Sequence, residues 1–307
     1  GVGGFEVAVD GRGLRVAGFE DGFWVGPTVI DRVQTSMDVT IPGQKDLPVD
    51  MAPVNTDAPW VDTGKAGLWP GGFLTAEMEG NWSESVNGRT GALLPVDTSQ
   101  LFPLPAGDNV ALPELSFAQF FSHYVGVTVG KFQTIATGDM NEFAHGKGDT
   151  QFFNLAFNIN PVSLSVPYST LGAGVIVLPT GDPDGALIKT VALSATGKAS
   201  TTGFDDLNGA LFASEGRVRT NFFGLTGHQL IGGLYSNKQY TSVDQRLGFV
   251  LENRALVPKR DTWAAFYNFD QFVYEPSKGR GIGLFGRFGA SAGDPVPMQY
   301  FYSAGVG

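Results

Sequence analysis

Thr262-Trp-Ala-Ala-Phe-Tyr-Asn-Phe-Asp-Gln-Phe-Val-Tyr-Glu275, followed after a short break by Gly281-Ile-Gly-Leu-Phe-Gly-Arg-Phe-Gly-Ala290, decides how the chain is read. In the first run Trp263, Ala265, Tyr267 and Phe269 oppose Asn268 and Asp270. In the second, Ile282, Leu284 and Phe288 oppose Phe285 and Arg287. Side chains of a strand point alternately to two faces, so each run reads as a strand with one apolar face. Met298–Val306 repeats the pattern, with Met298, Tyr300, Tyr302 and Val306 against Gln299, Phe301 and Ser303. Toward the N-terminus, Phe212, Gly216, Val218 and Phe222 oppose Glu215, Arg217, Arg219 and Asn221. Leu74, Ala76, Met78 and Gly80 oppose Thr75, Glu77, Glu79 and Asn81. Less regular strands are expected over Leu115–Ser122, Tyr124–Gln133, Leu155–Ser165, Thr170–Leu178, Leu187–Thr196 and Gln229–Asn237. Turns fall at Gly181–Gly185, Phe223–His228 and Gly293–Pro297, where Pro ends a ladder. Thr35–Leu68, of mixed polarity and with several Pro, reads as a long loop or poorly patterned strands.

Alternating segments of about ten residues, separated by turns, are the sequence form of a transmembrane β-barrel. A large soluble sandwich or jelly roll shares the period. Two features favour the barrel. Trp263, Tyr267, Tyr274, Tyr300 and Tyr302 lie near strand ends or on apolar faces, as in an interfacial girdle. The opposite faces carry Glu, Arg and large aromatics in strand after strand, which a wet lumen accommodates and a packed sandwich does not. The expected fold is therefore all-β: a transmembrane, antiparallel, up-and-down barrel occupying residues 1–307 as one domain.

Composition agrees. The 307 residues include 43 Gly and 24 Phe, and charged residues are 16%, against roughly 25% in ordinary soluble domains. So many aromatics and so little charge exclude intrinsic disorder. No apolar run reaches the length of a transmembrane helix. Cys is absent, so neither disulfides nor thiol chemistry arise. A net charge of −10 argues against a nucleic-acid partner.

Specific phrases then resemble the carbohydrate-selective outer-membrane porins of the OprB type. They include Gly67-Leu-Trp-Pro-Gly-Gly-Phe-Leu74, Glu84-Ser-Val-Asn-Gly88, Thr90-Gly-Ala-Leu-Leu-Pro-Val96, Leu115-Ser-Phe-Ala-Gln-Phe120, Asn141-Glu-Phe-Ala-His-Gly146, Gly227-His-Gln-Leu230 and Gly283-Leu-Phe-Gly-Arg-Phe-Gly289. The likeness covers roughly residues 67–307 and is weak over 1–66. It implies a bacterial outer-membrane barrel that passes sugars by diffusion, with no cofactor and no enzymatic step. About a dozen strands, and an end at Ala304-Gly-Val-Gly307 rather than on an aromatic residue, lead us to expect a fragment lacking its signal peptide and terminal strands. The implied partners are mono- or oligosaccharides and outer-membrane lipid, with homo-oligomerisation left open.

A sugar needs hydrogen-bonding groups for its hydroxyls and apolar faces for its C–H surface. Glu77, Glu79, Asn81, Arg217, Arg219, Asn268, Asp270, Arg287 and Gln299 are candidates for the first role along a lumen. Phe285 and Phe301 are candidates for the second. Each taken singly could equally solvate a barrel wall, and Arg217 and Arg219 beside Glu215 could form a wall ion-pair ladder. Asn141, Glu142 and His145 are expected in a constriction loop. Glu142 and His145, with Asp149 near, would suit a metal on a helix, but Gly146 and Gly148 favour a loop, and no metal is expected. Glu77 and Glu79, roughly 6–7 Å apart on one face, could serve as a glycosidase pair. The competing functions are a soluble all-β carbohydrate-binding or glycoside-hydrolysing protein, and a barrel selective for another small solute.

Overall fold

The computed structural model describes the backbone at residues 6–10, 13–17, 23–24 and 32–35 and from 60 onward. Within the latter it omits 82–85, 93, 99–100, 102–109, 146–151, 205–206 and 245–255; side chains are described from 61, those of 81 and 137 also excepted. Strands β1 (Glu6–Asp10), β2 (Gly13–Ala17) and β3 (Phe23–Trp24) form a small antiparallel sheet. The main sheet has twelve strands. They are β4 (Arg32–Thr35), β5 (Trp60–Asp62), β6 (Gly72–Asn81), β7 (Val110–Phe120), β8 (Val125–Gln133) and β9 (Ser169–Val177). Then come β10 (Ala186–Ser194), β11 (Ala210–Phe222), β12 (Leu225–Thr241), β13 (Pro258–Ser277), β14 (Arg280–Ser291) and β15 (Tyr300–Val306). From β6 to β15 every strand pairs antiparallel with its sequence neighbour, while β4 and β5 both pair with β6. This is the expected up-and-down meander; the described sheet runs from β15 to β4 and is not closed.

Connections differ at the two ends of the sheet. At one end they are short. Phe222 pairs with Leu225 across a two-residue turn in which Phe223 and Gly224 have φ of 57° and 81°. Positive φ at both central positions matches the twist of the flanking strands, and Gly at the second meets that demand without strain. At the other end the links are long, spanning residues 82–109, 134–168, 195–209 and 242–257.

Burial runs opposite to that of a water-soluble sheet. On one face Val129, Ile231 and Tyr302 are 54%, 69% and 80% exposed, alongside Leu74, Ile188, Phe212, Trp263, Tyr267, Leu284 and Phe288. On the other face Glu77, Glu79, Glu114, Asn268, Asp270 and Arg287 are buried. A continuous exposed apolar face is unfavourable in water, and transmembrane barrels carry such a band on their outer side. The outward Tyr267 stacks with Phe269 and Phe288.

The polar face is buried because the link between β8 and β9 folds onto it. Leu155–Ser165, expected as a strand, lies in this inward segment as helix α1 (Leu155–Asn158) and a 3-10 turn (Pro161–Ser163). The side chain of Asn154 accepts from the Ala156 N–H at 2.9 Å, and that of Asn160 from the Val162 N–H at 3.3 Å. These caps, with Pro161 opening the turn, favour helical over extended backbone. Apolar contacts fasten the segment: Ile135, Leu155 and Ile159 cluster together, and Val162 packs against Leu234 and Ala264 of the wall. Among the described residues no helix is long and apolar enough to cross a membrane.

Candidate functional site

Strand register sets the inward residues in rungs. One rung runs Leu187, Arg217, Leu230, Asn268, Arg287, Ser303 across β10 to β15. The next runs Arg219, His228, Asp270, Phe285, Gly305. The sequence thus places six candidates (Arg217, Arg219, Asn268, Asp270, Phe285 and Arg287) on two neighbouring rungs of one face.

Within the rungs the roles divide. Arg287, fully buried, donates from Nε to Asp139 Oδ2 at 2.7 Å and from a terminal nitrogen to the Phe157 carbonyl at 2.8 Å. Its other terminal nitrogen donates to the Asp139 carbonyl at 3.1 Å and to that of Ala144. Asn268 Nδ2 donates to Asp139 Oδ1 at 2.9 Å and accepts at Oδ1 from Asn141 Nδ2 at 2.6 Å. Asp270 Oδ2 accepts from the Glu142 N–H at 3.2 Å. These rungs therefore hold the inward segment. Backbone shape lets it approach: a Cβ on Gly283 would lie 2.1 Å from Phe143, and one on Gly289 2.6 Å from Asn160.

Phe285 and Arg287 are inner-face residues as expected, but neither meets an open lumen. Phe152 and Phe157 pack on Phe285 at centroid distances of 5.8 and 6.0 Å, and Arg287 lies beneath the segment it binds. Asn141 and His145 are buried and Glu142 is exposed; a His145 ring nitrogen bonds the Ala136 carbonyl. Phe301 is half-buried and packs against the Val162 cluster. Gln299 departs from expectation. The strand begins at Tyr300, and Gln299 sits exposed in the preceding bend, because the loop from Gly293 continues up to it. The side chain of Asn81 and the whole of Asp149 lie outside the described residues. Among the described residues no three His, Asp or Glu gather as metal ligands.

Glu77 and Glu79 are buried on the inner face of β6. Gln133 Nε2 donates to Glu77 Oε2 at 2.6 Å, and the Tyr168 hydroxyl donates to Glu79. Glu77 also faces Glu114 across β7. The Glu77 bond thus joins β6 to the end of β8, and the Glu79 bond fastens the end of the inward segment at Tyr168 to the wall.

The remaining charges form an open polar patch that the sequence reading missed in part. His228 is buried with Nδ1 2.7 Å from Asp270 and Nε2 3.1 Å from Asp184. Asp184 also takes Arg219 at 2.7 Å. Burial alone would push Asp184 up, but the hydrogen bonds from Arg219 and His228 hold its carboxyl below the ordinary range. Arg217 is 9% exposed, and its Nε has no hydrogen-bond partner. Glu142 and Asp184 lie within its electrostatic reach without forming an ion pair. His228 stands within the quoted phrase Gly227-His-Gln-Leu230 and on the inward parity of its strand, a signal that could have marked it. Asp184 sits in a turn, where period carries no information.

An antiparallel meander with a lipid-type outer face, a charged inner face and a long segment folded against that inner face defines the wall of a porin-like membrane barrel. The chain belongs to the family described as carbohydrate-selective porins, OprB family, whose model matches residues 58–307. That family consists of channels of the bacterial outer membrane, not enzymes. Among solved structures the chain is similar to OprB of Pseudomonas putida in its high-pH structure, with a TM-score of 0.65 and 18% identity. The alignment covers 80% of this chain and 61% of that one, so the chain spans about three-fifths of the porin it resembles. A search of curated protein sequences finds no significant match.

Proposed function

We propose that this chain forms wall and constriction of an outer-membrane channel for passive, carbohydrate-preferring diffusion. The carrying observation is the inner face. Arg217, Arg219, His228, Asp184, Asp270 and Glu142 bring both signs of charge together beside a segment that narrows the space. Opposed charges at a constriction order water and offer donors and acceptors to hydroxyls, while no single sign dominates to attract ions. Arg217 is the strongest candidate for solute contact, since its guanidinium has no hydrogen-bond partner among the described residues. Arg287, Asn268 and Phe285 act by positioning the segment, Glu79 by fastening its end at Tyr168, and Glu77 by joining β6 to β8. The partners are mono- or oligosaccharides in the lumen and lipid against the apolar face; association into homo-oligomers would use part of that face.

The test is liposome swelling with reconstituted full-length protein, comparing glucose with a charged solute of similar size. Faster swelling in glucose is expected. No swelling in either, from protein that has folded, would sink the diffusion reading.

A further inference from the structure

A cavity of about 500 Å³ lies at the end of the sheet that carries the long links. Its size falls within the range of roughly 300–1,000 Å³ typical of small-molecule sites. The end of the inward segment (164–167), the β10–β11 link (195–198), the β14–β15 link (295–297) and Lys238 and Tyr240 of β12 enclose it. Lys238 and Tyr240 share the parity of the buried His228, Leu230, Leu234 and Ser236, and they are half-buried where Asn237 and Gln239 are exposed. The cavity therefore belongs to the inner face. In outer-membrane barrels the long connections face the exterior, so it stands at the mouth by which solute enters.

Its charge is of one sign. Lys198 and Lys238 are the only charged side chains among the described lining residues, and neither forms an ion pair with another described residue. Lys238 Nζ donates to the Ala195 carbonyl at 3.2 Å and stands 5.2 Å from the centroid of the Tyr240 ring. Tyr240 is itself held by its hydroxyl, which donates to Ser236 Oγ at 2.7 Å. A carbonyl and a ring face position an ammonium group without neutralising it. Asp294, next in sequence to the lining, is engaged elsewhere: its carboxylate oxygens accept from Ser242 Oγ at 2.7 Å and from the Val243 N–H at 2.9 Å. Ser165 adds a second, independent sign of a guest. It lines the cavity, and its hydroxyl oxygen is shielded from solvent with no hydrogen-bond partner among the described residues. Leaving such a group unpaired is costly. Two uncompensated ammonium groups and an unpaired hydroxyl, beside the apolar surface of Pro167 and Val296, complement an acid group carried on a hydroxylated ring.

We infer that this cavity is an entry site for anionic saccharides, with the acid group set against Lys198 and Lys238, a ring hydroxyl on Ser165 and the C–H surface of the ring on Pro167 and Val296. The entry role rests on the channel reading; the binding site does not. A lysine is a point charge that does not separate carboxylate from phosphate by shape, so uronates and sugar phosphates share the chemistry. Placed ahead of the mixed-charge patch, the site raises the local concentration of acidic sugars at the mouth.

The test is a binding titration, independent of flux. Saturation-transfer NMR follows methyl β-D-glucuronide and methyl β-D-glucoside against the full-length protein in nanodiscs of zwitterionic lipid. The two ligands share a ring and differ in the acid group. The glucuronide is expected to bind about tenfold more tightly, with an advantage that shrinks as salt rises. Lys198→Gln should cut that advantage about threefold, and Lys198→Gln combined with Lys238→Gln should bring the two affinities together. Ser165→Ala, which removes only the hydroxyl, should weaken both ligands about threefold alike. Competition by glucose 6-phosphate assigns the site to both kinds of acid group, and its absence assigns it to uronates; either supports the inference. Equal affinity for the glucuronide and the glucoside overturns it. So does displacement by acetate as effective as by glucuronate, which would mark a counter-ion site without a saccharide. A preference untouched by Lys198→Gln and by the double variant, once heat-modifiable gel migration has shown both folded, overturns it as well. Failure of glucose to swell liposomes would remove the entry role and leave this titration to decide the site.

Discussion

Arg287 on β14 and Asp139 in the inward segment, 148 residues apart in sequence, form a buried ion pair with Nε 2.7 Å from Oδ2. Breaking a buried pair from one side costs about 3–5 kcal/mol, because the remaining charge is left uncompensated. Arg287→Ala should therefore release the segment while the antiparallel wall persists. The expected readouts are higher single-channel conductance in planar bilayers and faster proteolysis within residues 134–168. Unaltered conductance together with unaltered proteolysis would show that the pair does not hold the segment.

Gly283 tests the same docking by shape. Its Cβ would meet Phe143 at 2.1 Å, whereas a Cβ on Gly216 meets nothing within 4 Å. Gly283→Val should cost about 1–3 kcal/mol through overpacking and loosen the segment, and Gly216→Ala should be close to neutral. Thermal loss of heat-modifiable migration on gels compares the two. Equal midpoints would mean that the segment does not lie against β14.

Arg217 makes no hydrogen bond among the described residues, so replacing it should alter permeation more than stability. Arg217→Glu is expected to shift the reversal potential in a salt gradient toward cation selectivity and to slow glucose flux. A variant with native selectivity and flux would place the selective region elsewhere.

Asp184 joins Arg219 and His228 at the short-turn end. Its carboxyl lies below its ordinary value in the folded protein. The contribution of this contact is thus present above the unfolded pKa, and it is lost as pH falls through the lower folded value. Asp184→Asn should remove that acid dependence. Hydrogen exchange of the 178–185 turn, followed from neutral pH into the acid range, should show wild type loosening in acid and the variant already loose at neutrality. A turn equally protected in both would exclude the clamp.

On the outer face Phe288 is 45% exposed and stacks on Tyr267. A basic residue on a lipid face costs about 2–4 kcal/mol near the bilayer midplane. Phe288→Arg should accordingly lower folding yield into lipid vesicles while leaving the inner-face bonds intact. Undiminished yield would mean that this face does not meet lipid.

Much of the wall was legible in the sequence. The outward assignment of Leu74, Phe212, Val218, Trp263, Tyr267, Leu284 and Phe288 follows from a period of two, since alternate side chains of a strand point to opposite faces. The inward segment was not legible. Its partners are distant in sequence, and the caps at Asn154 and Asn160 interrupt any period, so 155–165 read as another strand. Nor does alternation distinguish a polar residue lining open water from one covered by a folded-in loop. Arg287 and Phe285 read as lumen residues for that reason, when their groups are spent on Asp139 and on Phe152 and Phe157. Gln299 shows a lesser limit: parity alone cannot say where a strand starts.

The pairing of each strand with its sequence neighbour sets an order of events. The hairpins β7–β8, β9–β10 and β11–β12 can zip locally as they emerge, since each closes a short connection. The inward segment leaves β8 early, yet the groups that clasp it (Asn268, Asp270 and Arg287) stand on β13 and β14. Until that late hairpin docks, the segment has none of these clasps to hold it. Docking of the inward segment is thereby coupled to the arrival of β13 and β14.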